Sequence, residues 1–497
     1  MKSSVASSET LSLPTLKPWH WLLPSVTHWM WLMLLLLLVS QPWRTVMVAS
    51  DGDACMHWRV GEWMLRHKQI IRADVFSHTR FGQPVISKEW LAEIILASAG
   101  RLGGLFGVAA VAALVIATTF ALLHRQLLRE GNEILAATTV TLLAAWAASA
   151  HWLARPHAFS FLLALLWHDA LRKFERTSDA RSLAVSLGVL MLLWVNLHGA
   201  FLAGFTVLGA YWLAALVARD RRKLSALSAV AVECALVSLV NPNGYKLHLH
   251  NLRFLQSDFF TNWLAEYSSV RFDSPDAVGF TVWLAVMFLT LALCRPRIHA
   301  GEAVVLTLWT YFALYSIRNV PLLAILSAPI VAPALSEAIR GKWGQFSVRV
   351  QHNTELAHGW PVAGLVAIAI IGFVPHPTEM PAKDWPVDAR AFIRQHPRKF
   401  SGQMFNQYAW GGYLMQELPE HKVFVDGRAD FYGEALIKEF SDTTALRSNW
   451  VAVLSKYDVQ WTLMPADHRL NLALALMQPQ WSCVYSDAVA AIWRKAE

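Results

Sequence analysis

Residues 27–53 read THWMWLMLLLLLVSQPWRTVMVASDGD. Up to Ala49 this stretch holds a single formal charge, Arg44, and a run of about 20 mainly apolar residues spans a bilayer as a helix. Before it lies a polar, Ser-rich segment with Lys2 and Lys17; after it come two carboxylates, Asp51 and Asp53, separated by Gly52. Positive charge in the preceding segment, with a span that starts late and is long for a cleaved signal, marks a retained signal anchor whose far end emerges outside the cytoplasm. Residues 1–26 then form a cytoplasmic tail, and Asp51-Gly52-Asp53 sits at the outer membrane surface.

The rest of the chain follows the same pattern. Hydrophobic residues make up 55% of the 497 and charged residues 16%, against about 25% charged in a soluble domain. Further spans are expected at 105–123, 134–150, 158–171, 183–196, 201–217, 224–240, 278–293, 303–316, 321–335 and 360–374. The expectation is a polytopic α-helical membrane protein of about 11 transmembrane helices. The 24 Trp supply the aromatic belts of the two interfaces. The net charge of +8 does not indicate nucleic acid, because the basic residues collect in alternate loops. Those loops hold Arg125 and Arg129; Arg172, Lys173 and Arg176; Arg219, Arg221, Arg222 and Lys223; Arg295 and Arg297; Arg340, Lys342 and Arg349. An odd number of crossings puts residues 376–497 outside, opposite the N-terminal tail.

The transmembrane domain is expected over 27–375, with a first outer loop at 50–103 and a long outer loop at 241–279. The first outer loop reads as two interfacial helices, 54–68 and 87–101, and the long loop holds one more at 247–260. Residues 376–497 are richer in charge, with strand-like runs at 422–425 and 488–493 and helical pieces at 388–395 and 433–446. A small C-terminal α/β domain is expected there. The four cysteines form no framework; Cys55 and Cys483 share the outer side, and a bridge between them is not favoured.

Chemistry concentrates on the outer side. Asp51 and Asp53 can turn toward one point, to hold a divalent cation or to take a proton from a hydroxyl; the bland reading is a polar exit with Asp53 at the start of the next helix. On a helix from residue 54, His57 shares a face with Asp53, while Met56, Val60, Trp63 and Met64 form an apolar face against the bilayer. Glu62, Arg66 and Lys68 read as a solvated face, and Lys88, Glu89 and Glu93 add polar groups beyond what a cap requires. Arg155, His157, Asn196, His198 and Arg318 lie at the outer ends of later spans, where polar groups face a cavity or a partner. An Arg there suits phosphate through its fork of donors; any single His reads better as a packing residue, and the clustering on one side is what points to a site. His248 and His250 do not share a helical face, so a metal site built from both is not expected. In the tail, Asp426-Gly427-Arg428-Ala429-Asp430 reads as a turn at a strand end, contacting an acceptor or the membrane site, or simply fixed by an internal Asp–Arg pair.

Asp51-Gly52-Asp53, Trp58, Gly61, residues 74–77 and Glu89-Trp90-Leu91 resemble the first outer loop of bacterial GT-C-type integral-membrane glycosyltransferases. So do Arg155-Pro156-His157, residues 194–199, Arg318-Asn319 and residues 424–428. They are similar to the blocks of a branch related to oligosaccharyltransferases, protein mannosyltransferases and lipid A aminoarabinose transferases. The resemblance implies a GT-C fold in the bacterial inner membrane and a sugar donor on polyprenyl phosphate. It implies a catalytic acid in the first outer loop, matched by Asp51 or Asp53, acting as base or as ligand to Mg²⁺ or Mn²⁺; some relatives use a cation and others none. Around it, His57, Glu89, Arg155, His157, Asn196, His198 and Arg318 are candidates for donor and phosphate binding, and Asp426, Arg428 and Asp430 for contact with the acceptor or between domains. The acceptor is a lipid, glycan or protein.

No nucleotide-binding Gly loop appears, so a cytosolic nucleotide-sugar donor is not indicated. A transporter or flippase of a lipid-linked saccharide would use similar basic residues without needing the paired acids. A structural subunit would leave the outer polar cluster unexplained.

Overall fold

A computed structural model describes residues 22–50, 52–294, 296–356, 359–376, 379–447 and 449–496, the side chains of 340–356 excepted. Asp51 lies outside the described residues, as do Arg295 and the side chains of Arg340, Lys342 and Arg349.

Each expected span coincides with helix. The first is a broken pair, α1 (Val26–Val39) and α2 (Trp43–Ala49), bent by 61°. Pro42 interrupts the run because it has no N–H to continue the ladder. There follow α4 (Trp90–Arg129), after a helix α3 (Asp53–His67) in the first outer loop, then α5 (Ile134–Ala148), α6 (His157–Thr177), α7 (Ala180–Leu197), α8 (Leu202–Val217) and α9 (Arg221–Val237). After the long outer loop come α12 (Val278–Cys294), α13 (Ala300–Tyr315), α14 (Val320–Leu356) and α15 (Trp360–Phe373). Six helices among the described residues are long and apolar enough to cross a bilayer, seven with the bent pair; α13 and α15 are apolar but shorter. The chain is a multi-pass membrane protein with six or seven helices of spanning length and apolarity among its described residues.

The helices form one bundle. At the end away from Asp53, Arg172 of α6 is clamped between Glu130 and Glu302, each at 2.6 Å, tying the C-terminal end of α4 to the start of α13. All three side chains are mostly buried. Charges so buried need such pairing, because an unpaired ion in a low dielectric is costly.

The first outer loop departs from expectation in two ways. Its second interfacial helix is not separate: residues 90–101 open α4, which bends at Gly103 and Gly104 into the following span. Gly104 has φ 59° and ψ −145°, a conformation open essentially to glycine alone. The apolar face of α3 also does not lie bare toward lipid. Cys55, Met56, Val60 and Met64 are buried in one core with Met404, Trp385, Tyr413 and Leu414 of the C-terminal region, which roofs the loop. Gly61 lets α3 press on α4, since a Cβ there would sit 2.0 Å from the Glu93 carbonyl oxygen. Nor is Glu62 solvated: it is buried between Arg66 and Arg101, at 2.5 and 2.7 Å.

The long outer loop carries two helices rather than one, α10 (Tyr245–Leu255) and α11 (Asp258–Trp263), because the Ser257 hydroxyl caps the second at the Phe260 amide. The C-terminal region holds α16 (Val387–Gln395), α17 (Gly411–Glu417), α18 (Ala429–Thr444), α19 (Trp450–Lys456) and α20 (Arg469–Ala475) around a four-stranded sheet. Its strands β1 (Gln403–Asn406), β2 (Val459–Pro465), β3 (Trp481–Ser486) and β4 (Ala490–Lys495) lie in the order β1-β2-β4-β3, with only β1–β2 parallel. The run at 488–493 becomes β4, whereas residues 422–425 form no strand. Their backbone is extended and buried, but Val423 bonds Phe76 and His78 of the first outer loop, and Phe424 N–H donates to the Asn406 side chain. All four cysteines are free thiols.

Candidate active site

Helix α3 starts directly after Gly52, so Asp53 occupies its first turn, where free N–H groups favour a carboxylate. Arg155, from the turn before α6, reaches it: Nη2 lies 3.2 Å from Asp53 Oδ2. The other arm of the same guanidinium, Nη1, is 3.3 Å from Oε2 of Glu266 in the long outer loop. Glu266 Oε1 in turn meets Nη1 of Arg318 at 3.3 Å, and Arg318 lies over the Tyr267 ring at 4.3 Å. Asp53, Arg155, Glu266 and Arg318 thus form a row of alternating charge drawn from four separate segments. Burial by itself would raise the Glu266 carboxyl, but Arg318 and Arg155 outweigh it and hold the group down to about 2.

The C-terminal region forms the wall on the other side of Asp53. A Cβ on Gly427 would fall 1.8 Å from Asp53 Oδ1, so only glycine lets this loop lie against the carboxylate. Gly52 and Gly412 allow a similar approach, with a Cβ on either coming within 2.4 Å of a carbonyl oxygen of the opposite segment. Tyr408 is close enough that burial, and then the Asp53 charge, hold its hydroxyl well above the ordinary tyrosine range.

One turn along α3, His57 Nδ1 is 3.2 Å from Glu93 Oε1 and 3.8 Å from Glu89 Oε2. The ligating atoms of these three residues lie within 4.8 Å of one another. Burial, the largest influence on His57, opposes its charge, but the two glutamates outweigh it and raise its pKa. Burial raises the Glu89 carboxyl as well. His198 Nε2 approaches the other oxygen of Glu89 at 3.5 Å, and its Nδ1 bonds the Ser160 hydroxyl at 2.8 Å.

A third group joins Lys88 and His250 to Asp430, at 2.6 and 2.8 Å. Burial works against ionisation of Asp430, yet Lys88 and His250 hold its pKa well below the usual carboxylate range. His248 turns away to Ser238, so the two histidines have separate partners. Asp426 is fully buried and takes bonds from Arg428 Nη2 and the Tyr432 hydroxyl, each at 2.6 Å. Arg428 also pairs with the buried Asp74 of the first outer loop at 2.8 Å. The internal Asp426–Arg428 pair and the contact of Arg428 with Asp74 therefore coexist.

Of the residues singled out in the sequence, Asp53, His57, Glu89, Arg155, His198 and Arg318 come together at one end of the bundle. Asn196 is engaged structurally: its oxygen accepts from Trp90 Nε1, and its amide donates to the carbonyls of Leu192 and Val240. The His157 ring bonds the His151 carbonyl at 3.0 Å and lies 6.3 Å from the His198 ring. Glu266 and Gly427 were not recognisable as site residues. Nothing local separates Glu266 from Asp258, Asp273 and Asp276 in the same loop, and Gly427 reads as part of a turn. The signal available was the pair of arginines at outer span ends, which demands a nearby anion.

No family model matches the chain, and no curated protein is similar to it by sequence. The fold, however, has solved counterparts. The archaeal oligosaccharyltransferase AglB from Archaeoglobus fulgidus, in complex with an inhibitory peptide and a dolichol-phosphate, superposes with a TM-score of 0.59 at 15% identity, over 88% of this chain and 69% of AglB. A structure of the Archaeoglobus enzyme in complex with Zn and sulfate gives 0.52 at 14% identity, over 89% and 68%. The aminoarabinose transferase ArnT from Cupriavidus metallidurans gives 0.52 at 15% identity, over 93% of this chain and 96% of ArnT. The architecture is the GT-C fold.

Proposed function

We propose that this protein is a glycosyltransferase that moves a sugar from a polyprenyl-phosphate carrier to a hydroxyl or amide acceptor at the outer face of the bacterial inner membrane. The observation that carries the reading is the row Asp53–Arg155–Glu266–Arg318, which sets an acid beside two guanidiniums at one end of an apolar bundle. The GT-C fold and the dolichol-phosphate bound by AglB support a lipid-linked donor. The alternating basic loops support a cytoplasmic N-terminus and an external C-terminal domain at 376–497.

In this reading Asp53 accepts the proton of the acceptor as its oxygen or nitrogen bonds to the anomeric carbon. The bond from that carbon to the phosphate oxygen breaks, and polyprenyl phosphate leaves. Arg155 and Arg318 stabilise the charge gathering on the phosphate, releasing part of their hold on Glu266 as they do so. Glu266 keeps both guanidiniums aimed at one place before the donor arrives. The first outer loop and the Gly427 loop together wall the acid, leaving its side chain 20% exposed.

A divalent cation on Asp53 fits poorly, because a guanidinium stands 3.2 Å from Oδ2 and a second positive group on that carboxylate would be repelled. Asp53 is therefore assigned as base rather than as ligand for Mg²⁺ or Mn²⁺.

The test is mass spectrometry of polyprenyl-phosphate sugars in a deletion strain complemented with wild type or Asp53→Asn. Accumulation of one sugar-lipid in the deletion and the variant, but not in wild type, supports transfer and names the donor. Unchanged pools in both would remove the enzyme reading and favour a transport or structural role.

A further inference from the structure

We infer that His57, Glu89 and Glu93 form a divalent transition-metal site separate from Asp53, one helical turn further along α3. Three observations converge on it. The first is geometry: the three ligating atoms, on α3 and at the start of α4, lie within 4.8 Å of one another, with His57 Nδ1 3.2 and 3.8 Å from the carboxylates. Ligands about 2.0–2.2 Å from a zinc ion stand about 3.3–3.6 Å apart in a tetrahedron, so side-chain movements of up to about 1.5 Å complete the set.

The second is charge. Two buried carboxylates face one imidazole; Lys88 acts on Glu89 through its charge but makes its close ion pair with Asp430, while Arg155 pairs with Asp53 and Glu266, and Arg318 with Glu266. Among the described residues, the ion pairs of Glu89 and Glu93 are made by histidines alone. A dication between the two carboxylates would make the close contact that Lys88 does not.

The third is the support behind Glu89. Trp194 Nε1 can only donate, and it donates to Ser160 Oγ at 2.8 Å. The Ser160 hydroxyl is then free to donate to His198 Nδ1, at 2.8 Å, which leaves the His198 proton on Nε2. That nitrogen lies 3.5 Å from Glu89 Oε1, while Oε2 faces His57. A buried relay that orients a carboxylate through its outer oxygen is how metal-binding side chains are held. His198 is thus a positioning residue and not a ligand. One imidazole with two carboxylates suits zinc or manganese better than magnesium, and three protein ligands leave coordination positions open.

The test needs no activity, so it stands or falls apart from the transfer reaction. Full-length protein in detergent micelles is stripped with chelator and titrated with MnCl₂ and ZnCl₂, with calorimetry for affinity and pulsed electron paramagnetic resonance for bound Mn²⁺. The expected result is one ion per chain, with a single imidazole nitrogen coupled to Mn²⁺. Glu93→Gln and His57→Gln should weaken binding by about 10- to 100-fold or more while eluting as wild type on gel filtration, and His198→Ala should weaken it less. Asp53→Asn should bind as wild type. No stoichiometric binding by wild type, absence of a nitrogen coupling, or loss of binding in Asp53→Asn with retention in Glu93→Gln would each overturn the assignment. The nitrogen coupling is read on wild type and so does not depend on any variant folding.

Discussion

Glu266 ties the two arginines of the candidate site together, and its carboxyl is held at about 2, below the value of about 4.3 expected in an unfolded chain. A depressed carboxylate stabilises the fold fully above its unfolded pKa and loses that contribution as the pH falls through its folded value. Stability in detergent should therefore decline between about pH 5 and pH 2 in wild type. Glu266→Gln should be less stable at pH 7 by about 1–3 kcal/mol and should show a flatter profile over that interval, as read by thermal unfolding at stepped pH. Catalysis makes sharper demands. Asp53→Asn should lower transfer by about 100-fold or more, the usual worth of a general base, with folding retained. Gly427→Ala should do nearly as much by a different route, because its methyl group would occupy the place of the Asp53 carboxylate. A crude-membrane transfer assay with extracted lipid donor distinguishes both from wild type, and full activity in Gly427→Ala would count against the Gly427 loop as a wall of the site.

At the scale of elements, α3 and α4 are the pair that matters, since they carry Asp53, His57, Glu89 and Glu93 between them. Their separation is set by Gly61, and the direction of α4 by the bend at Gly103 and Gly104. Gly104→Ala forces a side chain into a conformation that suits glycine and should cost about 1–3 kcal/mol, visible as a lower melting temperature. Gly61→Leu should push the helices apart and reduce activity more than Gly104→Ala does, because the side chain meets the backbone that carries Glu93. Equal activity in the two variants would argue that the α3–α4 spacing is not what sets the site.

Over the whole molecule, the C-terminal region is part of the site rather than an appendage. It buries the apolar face of α3, pairs Arg428 with Asp74 and Asp430 with Lys88, and places Gly427 on Asp53. A chain ending after residue 376 should expose Met56, Val60 and Met64 and lose transfer entirely, even where it still inserts into the membrane. Protease accessibility of the first outer loop in intact spheroplasts, compared between full-length and shortened chains, measures this directly.

The membrane bundle and the approximate course of its helices are legible in the chain alone, because hydrophobic length and charge asymmetry are local properties that the bilayer reads directly. The chain also marks Asp53, Arg155, His198 and Arg318 as residues of one side, since polar groups at span ends are rare enough to stand out. Pairing emerges only when the chain folds. Nothing local brings Glu266 to two arginines more than 50 and 100 residues away on either side, or Gly427 to Asp53. Residues 422–425 had the composition of a strand, yet became an extended rib because their backbone bonds are taken by the first outer loop and the Asn406 side chain. The face of α3 that looked made for lipid was covered by protein for the same reason. Burial drives an apolar face to whatever apolar surface the fold brings to it, and the sequence pattern does not say whether that surface is a bilayer or another domain.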